Sequence, residues 1–235
     1  ERADIKNGHE ILDLGCGWGS FSLYVAEKYP DTKITSVSNS TDQITYINNE
    51  AQKRGLSNVN AYKMDVNNLE LDTQFDRIVS IEMFEHLRNY KLILNSLNNL
   101  LKPDGRLFIH IFCHKKLTYF YEMKNNFDWM TKYFFQGGIM PSKDIFEYFN
   151  NDLEIINQWD INGNHYSKTC EAWLNNHYKN KKKILDIFQN HYDKPKIWFN
   201  RWRIFFLSCE AFFAINNGKE YFVSHYLLKK KFGSE

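Results

Sequence analysis

The sequence predicts an α/β protein: a doubly wound, mostly parallel sheet of seven strands, with helical insertions forming a cap. Three observations carry that prediction. Strand and helix patterns alternate through the first half of the chain, which implies a parallel sheet with helices on both faces. The run Ile11-Leu12-Asp13-Leu14-Gly15-Cys16-Gly17-Trp18-Gly19-Ser20 joins a buried-strand pattern to an amphipathic helix through three alternate glycines. The next two strand patterns end in the polar runs Ser38-Asn39-Ser40-Thr41-Asp42-Gln43 and Lys63-Met64-Asp65-Val66. In a doubly wound sheet these are consecutive strand ends, so all three loops fall on one edge.

The elements follow in order. Strands are expected near 10–14, 33–37, 59–63, 75–81 and 106–112, with helices near 19–28, 41–54 and 89–101. Pro103-Asp104-Gly105 marks a turn between the last of these helices and the fifth strand. Residues 113–150 are rich in aromatics, contain the loop signal Gly137-Gly138-Ile139-Met140-Pro141, and are expected to form a helical insertion. Residues 153–160 alternate well enough for a sixth strand. Helices are expected near 166–178, 182–191 and 196–216, the last stopped by Asn216-Asn217-Gly218. Glu220 to Leu228 read as the final strand. The expected organisation is one domain over 1–235. Its core is 1–112 and 153–165 plus 219–231, and its cap comprises the excursions 113–152 and 166–218.

Composition narrows the function classes. Among 235 residues, 43% are hydrophobic, 25% are charged and the net charge is +2, an ordinary globular balance that gives no argument for a nucleic-acid surface. The runs Lys181-Lys182-Lys183 and Lys229-Lys230-Lys231 read as solvated element ends. No apolar run is long enough to span a bilayer, so no stable membrane insertion is expected. The four cysteines are scattered, which predicts a reducing compartment and no zinc site or other metal centre. With no signal peptide to see, a cytoplasmic location is expected. The chain starts at Glu1 almost directly before the first strand, and is expected to be a fragment or to have lost a preceding segment. Aromatics reach 17%, enough to fill a core and also line a pocket for a flat or greasy substrate.

The glycine loop sits where a nucleoside-like cofactor is cradled, at the carboxyl end of a parallel strand. A dinucleotide fingerprint needs Gly-x-Gly-x-x-Gly; here Gly15, Gly17 and Gly19 alternate and Ser20 takes the third fingerprint position. This form of loop resembles the first motif of S-adenosylmethionine-dependent methyltransferases, although an ordinary tight βα turn can look the same. A ligand along the edge would meet Gly15 and Gly17 first. Asn39 and Gln43 would then face its ribose hydroxyls and Asp65 its adenine amino group. Helix capping remains the plainer duty for Asn39 and Gln43, and solvation for Asp65.

The densest chemistry follows strand four, in Ser80-Ile81-Glu82-Met83-Phe84-Glu85-His86. Two carboxylates and an imidazole within five residues leave the sheet at the edge that carries the glycine loop. Methyl transfer from a sulfonium is an in-line displacement, so an enzyme must place a nucleophile behind the methyl group and manage one proton. An amine attacks only when neutral. His86, whose ordinary pKa lies near operating pH, is the candidate base. Glu82 and Glu85 would attract and orient the ammonium form. Helix-start capping is the plainer reading of the glutamates, and packing that of the histidine. His110 and His114 flank Cys113 on a strand, where they are not arranged to share a metal, and a structural or pocket-wall role is expected of them.

At this point the residues resemble those of the cyclopropane-fatty-acid-synthase-like methyltransferases, a Rossmann-like class I methyltransferase fold. The nearest resemblance within them is to the coclaurine N-methyltransferase type. The matching stretches are Leu12–Ser20, Val37–Gln43, Asp76–Tyr90, Leu107–Lys115, Asp128–Pro141, Trp159–Tyr166 and Asn216–Leu228. The resemblance implies S-adenosyl-L-methionine as cofactor, held at Gly15, Asn39, Gln43, Asp65, Val66 and Ile81, with Ser38 and Asn39 where most such enzymes put an acidic residue. It implies Glu82, Glu85 and His86 at the amine and aromatic pocket positions at Trp202 and Phe205. Cyclopropane synthases carry a small residue, usually glycine, in place of Glu82 and a bicarbonate-holding tyrosine in place of Phe205. They share the counterparts of Glu85 and His110. The family's amino-terminal lid segment is expected to be missing from this chain, by truncation or by real loss.

The expected activity is therefore N-methylation of a small, aromatic or alkaloid-like amine. One alternative is a cyclopropane-fatty-acyl-phospholipid synthase-like lipid methyltransferase, with a lipid acyl chain as partner. Another is a non-catalytic cofactor-binding protein. A homodimer stays open.

Overall fold

In the computed structural model, which describes residues 1–125 and 128–231, β1 (Glu10–Leu14) runs through the middle of the main sheet. Its Ile11, Leu12 and Leu14 are fully buried, as a strand covered on both faces requires. The chain continues through α1 (Ser20–Lys28), β2 (Lys33–Ser38), α2 (Thr41–Lys53), β3 (Val59–Lys63) and β4 (Phe75–Ile81). A short 3-10 turn over Phe84–His86 and α3 (Tyr90–Leu100) lead into β5 (Leu101–His114). α3 shows why the local sequence suffices for a helix. Asn89 accepts the Leu92 N–H at 3.1 Å, capping the first turn, and Tyr90, Ile93, Leu94, Leu97 and Leu100 make one buried stripe at helical spacing.

Beyond β5, β6 (Tyr119–Phe120) and β7 (Ile139–Met140) pair antiparallel as a separate small ribbon. A π-helical turn over Thr131–Phe135 lies between them and a 3-10 turn over Ile145–Phe149 follows. β8 (Leu153–Ile161), α4 (Gly163–Lys179), α5 (Lys181–Gln189), α6 (Pro195–Gly218) and β9 (Tyr221–Lys230) complete the described chain.

The main sheet has the order β3-β2-β1-β4-β5-β9-β8. All pairs from β3 to β5 are parallel, and β9 runs antiparallel to both of its neighbours. This is the predicted doubly wound, mostly parallel, seven-stranded architecture. The chain moves outward from β1 to β2 and β3, then returns to lay β4 against the other side of β1. That reversal makes the carboxyl ends of β1 and β4 the switch point, where open α/β sheets bind ligands.

The structure corrects two expectations. Residues 113–150 are not a helical insertion: the segment is the β6–β7 ribbon, short turns and irregular chain. Its aromatics pack ring on ring, for example Tyr121 on Phe135 at 5.0 Å, without the periodic apolar stripe of a helix. Residues 126–127 of that segment, and 232–235 of the predicted domain, lie outside the described residues. The Pro103-Asp104-Gly105 turn does not precede β5 but lies inside it. Phe75 pairs with Leu101 and Arg77 with Arg106, so 102–105 bulge from a ladder that has already begun. The stop at Asn216-Asn217-Gly218 is observed: Ile215 leaves helical angles, and Asn216 and Asn217 are left-handed at φ 53° and 54°.

Candidate active site

The glycine loop leaves β1 at the switch point. Gly15 has a φ of 79°, and a side chain there would put its Cβ 2.8 Å from Met83 Cβ. Only glycine lets the loop close over the segment that follows β4. The N–H groups of Gly15 and Cys16 both donate to the Val37 carbonyl at 3.0 Å, which ties the loop to the end of β2. Beneath it, Ser22 Oγ donates to the buried Asp13 carboxyl at 2.5 Å and lies 2.6 Å from Ser36 Oγ. Burial pushes the Asp13 carboxyl up to about 7.

The predicted cofactor residues line this edge. Space opens beside Gly17, with no atom within 4 Å of where a Cβ would sit. Asn39, Asp65 and Ile81 are exposed, Gln43 and Val66 partly so. Gln43 Oε1 accepts the Ser38 hydroxyl at 2.7 Å, fixing its amide at the end of β2. Asp65 Oδ1 accepts the Asn67 backbone N–H and side-chain amide, each at 2.9 Å, so one carboxylate oxygen already serves a turn. A glycine cradle, the Ser38 hydroxyl at the end of β2 with the Gln43 amide of α2 fixed against it, and a carboxylate beyond β3 form a donor and acceptor set that fits a nucleoside with a charged tail.

Next to this edge lies a cavity of about 600 Å³, walled by the β6–β7 segment, α4, α6 and the turn after β4. Glu82, Glu85 and His86 all line it, so the structure brings the predicted catalytic trio together. The backbone explains how. Ile81 pairs with His110 across β4 and β5, and the Glu82 N–H donates to the His110 carbonyl at 3.0 Å. Glu82 then turns the chain with a left-handed φ of 53°, and the 3-10 turn places Glu85 and His86 on the cavity side.

The electrostatics separate the three groups. Glu85 is 2% exposed, and burial together with the negative charge of Glu82 holds its carboxyl well above the usual range, so it keeps its proton. Glu82 is less buried. Tyr166 Oη donates to its Oε2 at 3.0 Å, and His110 Nε2 stands 2.9 Å from its Oε1. That second contact is an ion-pair distance without hydrogen-bond geometry, and Glu82 Oε1 and Glu85 Oε2 are both buried oxygens with no donor. Burial lowers the His86 imidazole below its ordinary value against the opposing charge of Glu82, which keeps the ring neutral near pH 7.

The two aromatic expectations part company. Phe205 lies on the cavity wall. Trp202 is not among the lining residues and packs behind, 5.7 Å from Phe205 and 5.0 Å from Phe134 between ring centroids. His114 accepts the N–H groups of Lys116 and Leu117 and contacts Glu220 at 3.1 Å, a structural duty. Sequence reading did not single out Tyr166, Tyr121 or Tyr221, which also line the cavity. Their only sequence signal is the high aromatic content, since they come from separate elements.

A family model for mycolic acid cyclopropane synthetase matches residues 1–221. The (S)-coclaurine N-methyltransferase of Thalictrum flavum subsp. glaucum is 42% identical over 238 residues, covering 98% of this chain and 66% of that protein. The chain thus spans about two thirds of the length of that relative. The cyclopropane-fatty-acyl-phospholipid synthase of Escherichia coli (strain K12) is 31% identical over 83% of this chain and 48% of its own length. Among solved structures, a coclaurine N-methyltransferase bound to N-methylheliamine and S-adenosylhomocysteine superposes with a TM-score of 0.92. It is 39% identical, over 97% of this chain and 69% of that one. With this fold, glycine edge and cavity, the chain belongs to the mycolic acid cyclopropane synthetase family.

Proposed function

We propose that the chain N-methylates a small amine. One observation carries the reading: two buried carboxyl oxygens without donors, Glu82 Oε1 and Glu85 Oε2, share an aromatic cavity with a neutral imidazole. An ammonium group has N–H donors for both oxygens and a charge that Glu82 and the aromatic faces attract. When bound, S-adenosylmethionine supplies the methyl group on its sulfonium. Gly15, Gly17, Asn39, Gln43, Asp65, Val66 and Ile81 hold it along the sheet edge. Glu82 draws in the ammonium and keeps one N–H oriented. An imidazole nitrogen of His86 takes the proton that frees the lone pair. Glu85 stays protonated, so the site holds one negative charge against one positive. Phe205 forms part of the wall, with Trp202 bracing it from behind, and the excursions 113–152 and 166–218 form the cap.

The lipid alternative fits less well, because an alkene would leave the charge of Glu82 and both open oxygens unanswered in the cavity. The four free cysteines suit a reducing, cytoplasmic setting, and no described helix is long and apolar enough to cross a membrane.

The test incubates the protein with methyl-labelled S-adenosylmethionine and separate amine and phospholipid panels. Coclaurine and heliamine, related to the names of the similar proteins, head the amine panel. Label in an amine is expected. Label only in lipid would replace this reading with the cyclopropane-type one. Cofactor binding with no turnover over both panels would mean a non-catalytic protein.

A further inference from the structure

Glu82 is approached from two sides by elements far apart in sequence: Tyr166 donates a hydrogen bond to Oε2, while His110 stands at ion-pair distance from Oε1 and leaves it open to a further donor. His110 comes from β5, and Tyr166 from the first turn of α4. Nothing about that helix turn is loosely placed. Asn162 caps it by accepting the Asn164 N–H at 2.9 Å and ties it to the end of α6 by donating to the Asn217 carbonyl, also at 2.9 Å. Gly163 packs so closely that any Cβ would collide with the carbonyls of Tyr221 and Phe213. The Tyr166 ring is then held against Phe213, 4.3 Å between centroids, with Trp173 at 6.1 Å. Burial, reinforced by the charge of Glu82, raises the phenol far above the ordinary tyrosine value, so its hydroxyl stays a donor.

We propose that Tyr166 is a positioning residue: its hydroxyl and the His110 imidazole form a cradle that fixes the Glu82 carboxylate in one orientation on the cavity wall. The proposal rests on the amine-methylation reading for its rate consequences. The cradle itself follows from geometry alone. Two groups poised around a carboxylate do not need that carboxylate to be tethered. Replacing Glu82 by glycine suits the left-handed backbone and leaves Tyr166 Oη and His110 Nε2 around a space the size of a small free carboxylate.

The test compares wild type, Tyr166→Phe, Glu82→Gly and the double variant on an amine that wild type methylates, with formate as the free carboxylate. Tyr166→Phe keeps the ring packing and removes one hydrogen bond to a charged group, so turnover should fall roughly ten- to hundredfold. The fall should lie in kcat more than in KM, with S-adenosylhomocysteine affinity unchanged in calorimetry. Formate should restore activity to Glu82→Gly and fail to restore it to the double variant. The proposal is overturned if Tyr166→Phe turns over like wild type, if formate leaves Glu82→Gly inactive, or if it rescues both variants equally. If wild type methylates no amine, the amine reading fails on that control. The cradle is then decided by NMR of isotope-labelled formate, which should bind Glu82→Gly and not the double variant; equal binding, or none to either, sinks it.

Discussion

At the scale of single residues, charge state decides the chemistry. His86 is neutral because burial disfavours its charged form, and that makes it a base at neutral pH. His86→Ala should lower turnover about a hundredfold to ten-thousandfold while leaving cofactor affinity alone. Raising the pH should partly restore the rate, because more of the amine then arrives neutral. Matching pH–rate profiles for the variant and wild type would make the histidine structural. Glu82→Gln keeps shape and removes charge, so its effect should appear mainly as a higher KM for the amine. Glu82 also carries a backbone cost, since a φ of 53° crowds any Cβ. Glu82→Gly should therefore be more stable than Glu82→Ala, by about 1 kcal/mol. That order reverses the usual one, and paired denaturant titrations would read it. The trio was legible in sequence because all three residues fall within five positions of one strand end. Tyr166 was not, because its partner is 84 positions away and nothing local marks it.

At the scale of elements, what could be read was what repeats. α3 has a cap and a five-residue buried stripe, and β1 is a short buried run of Ile11, Leu12 and Leu14 interrupted only by Asp13, so both are visible in sequence. The segment after β5 departs from the helical insertion that its composition predicts, because its aromatics satisfy one another through ring contacts and a two-residue ribbon, neither of which has a period. Pro103-Asp104-Gly105 was recognised as a turn, but only the pairing of Phe75 with Leu101 shows that the strand has begun before it. The joint between α4 and α6 was equally hidden. Gly163 looks like any helix-start glycine, yet it has no room for a methyl group because backbone carbonyls of two other elements face it. Gly163→Ala should cost about 1–3 kcal/mol, as overpacking does. It should also move Tyr166 off Glu82, so thermal melts and turnover should fall together. A variant that melts like wild type would show that the joint can yield.

At the scale of the whole molecule, buried ionisable groups couple stability to pH in opposite directions. Burial lowers His86, His177 and His225, the last to about 4, so their contributions are present above an imidazole's ordinary value and lost as pH falls below it. Asp13 acts the other way. Its folded value of about 7 lies above the ordinary 3.8, so the fold favours the protonated carboxyl. That contribution is complete below pH 3.8 and is lost as pH rises through about 7. It bears on function because Asp13 sits under the glycine loop, where its partner Ser22 belongs to α1 and touches Ser36 of β2. Deprotonation thus charges the joint between the three elements that shape the cofactor edge. The histidine effects remain in any variant that changes only Asp13, so a difference curve isolates the carboxyl. Asp13→Asn keeps an oxygen to accept the Ser22 hydroxyl and cannot ionise. Relative to wild type, it should gain stability as pH rises from about 4 to about 7 and level off above that, by up to a few kcal/mol. Denaturant titrations across that range would measure the gain. A flat difference would mean that Asp13 is already charged in the folded protein, stabilised by its hydrogen bonds from Ser22 beyond what its burial costs.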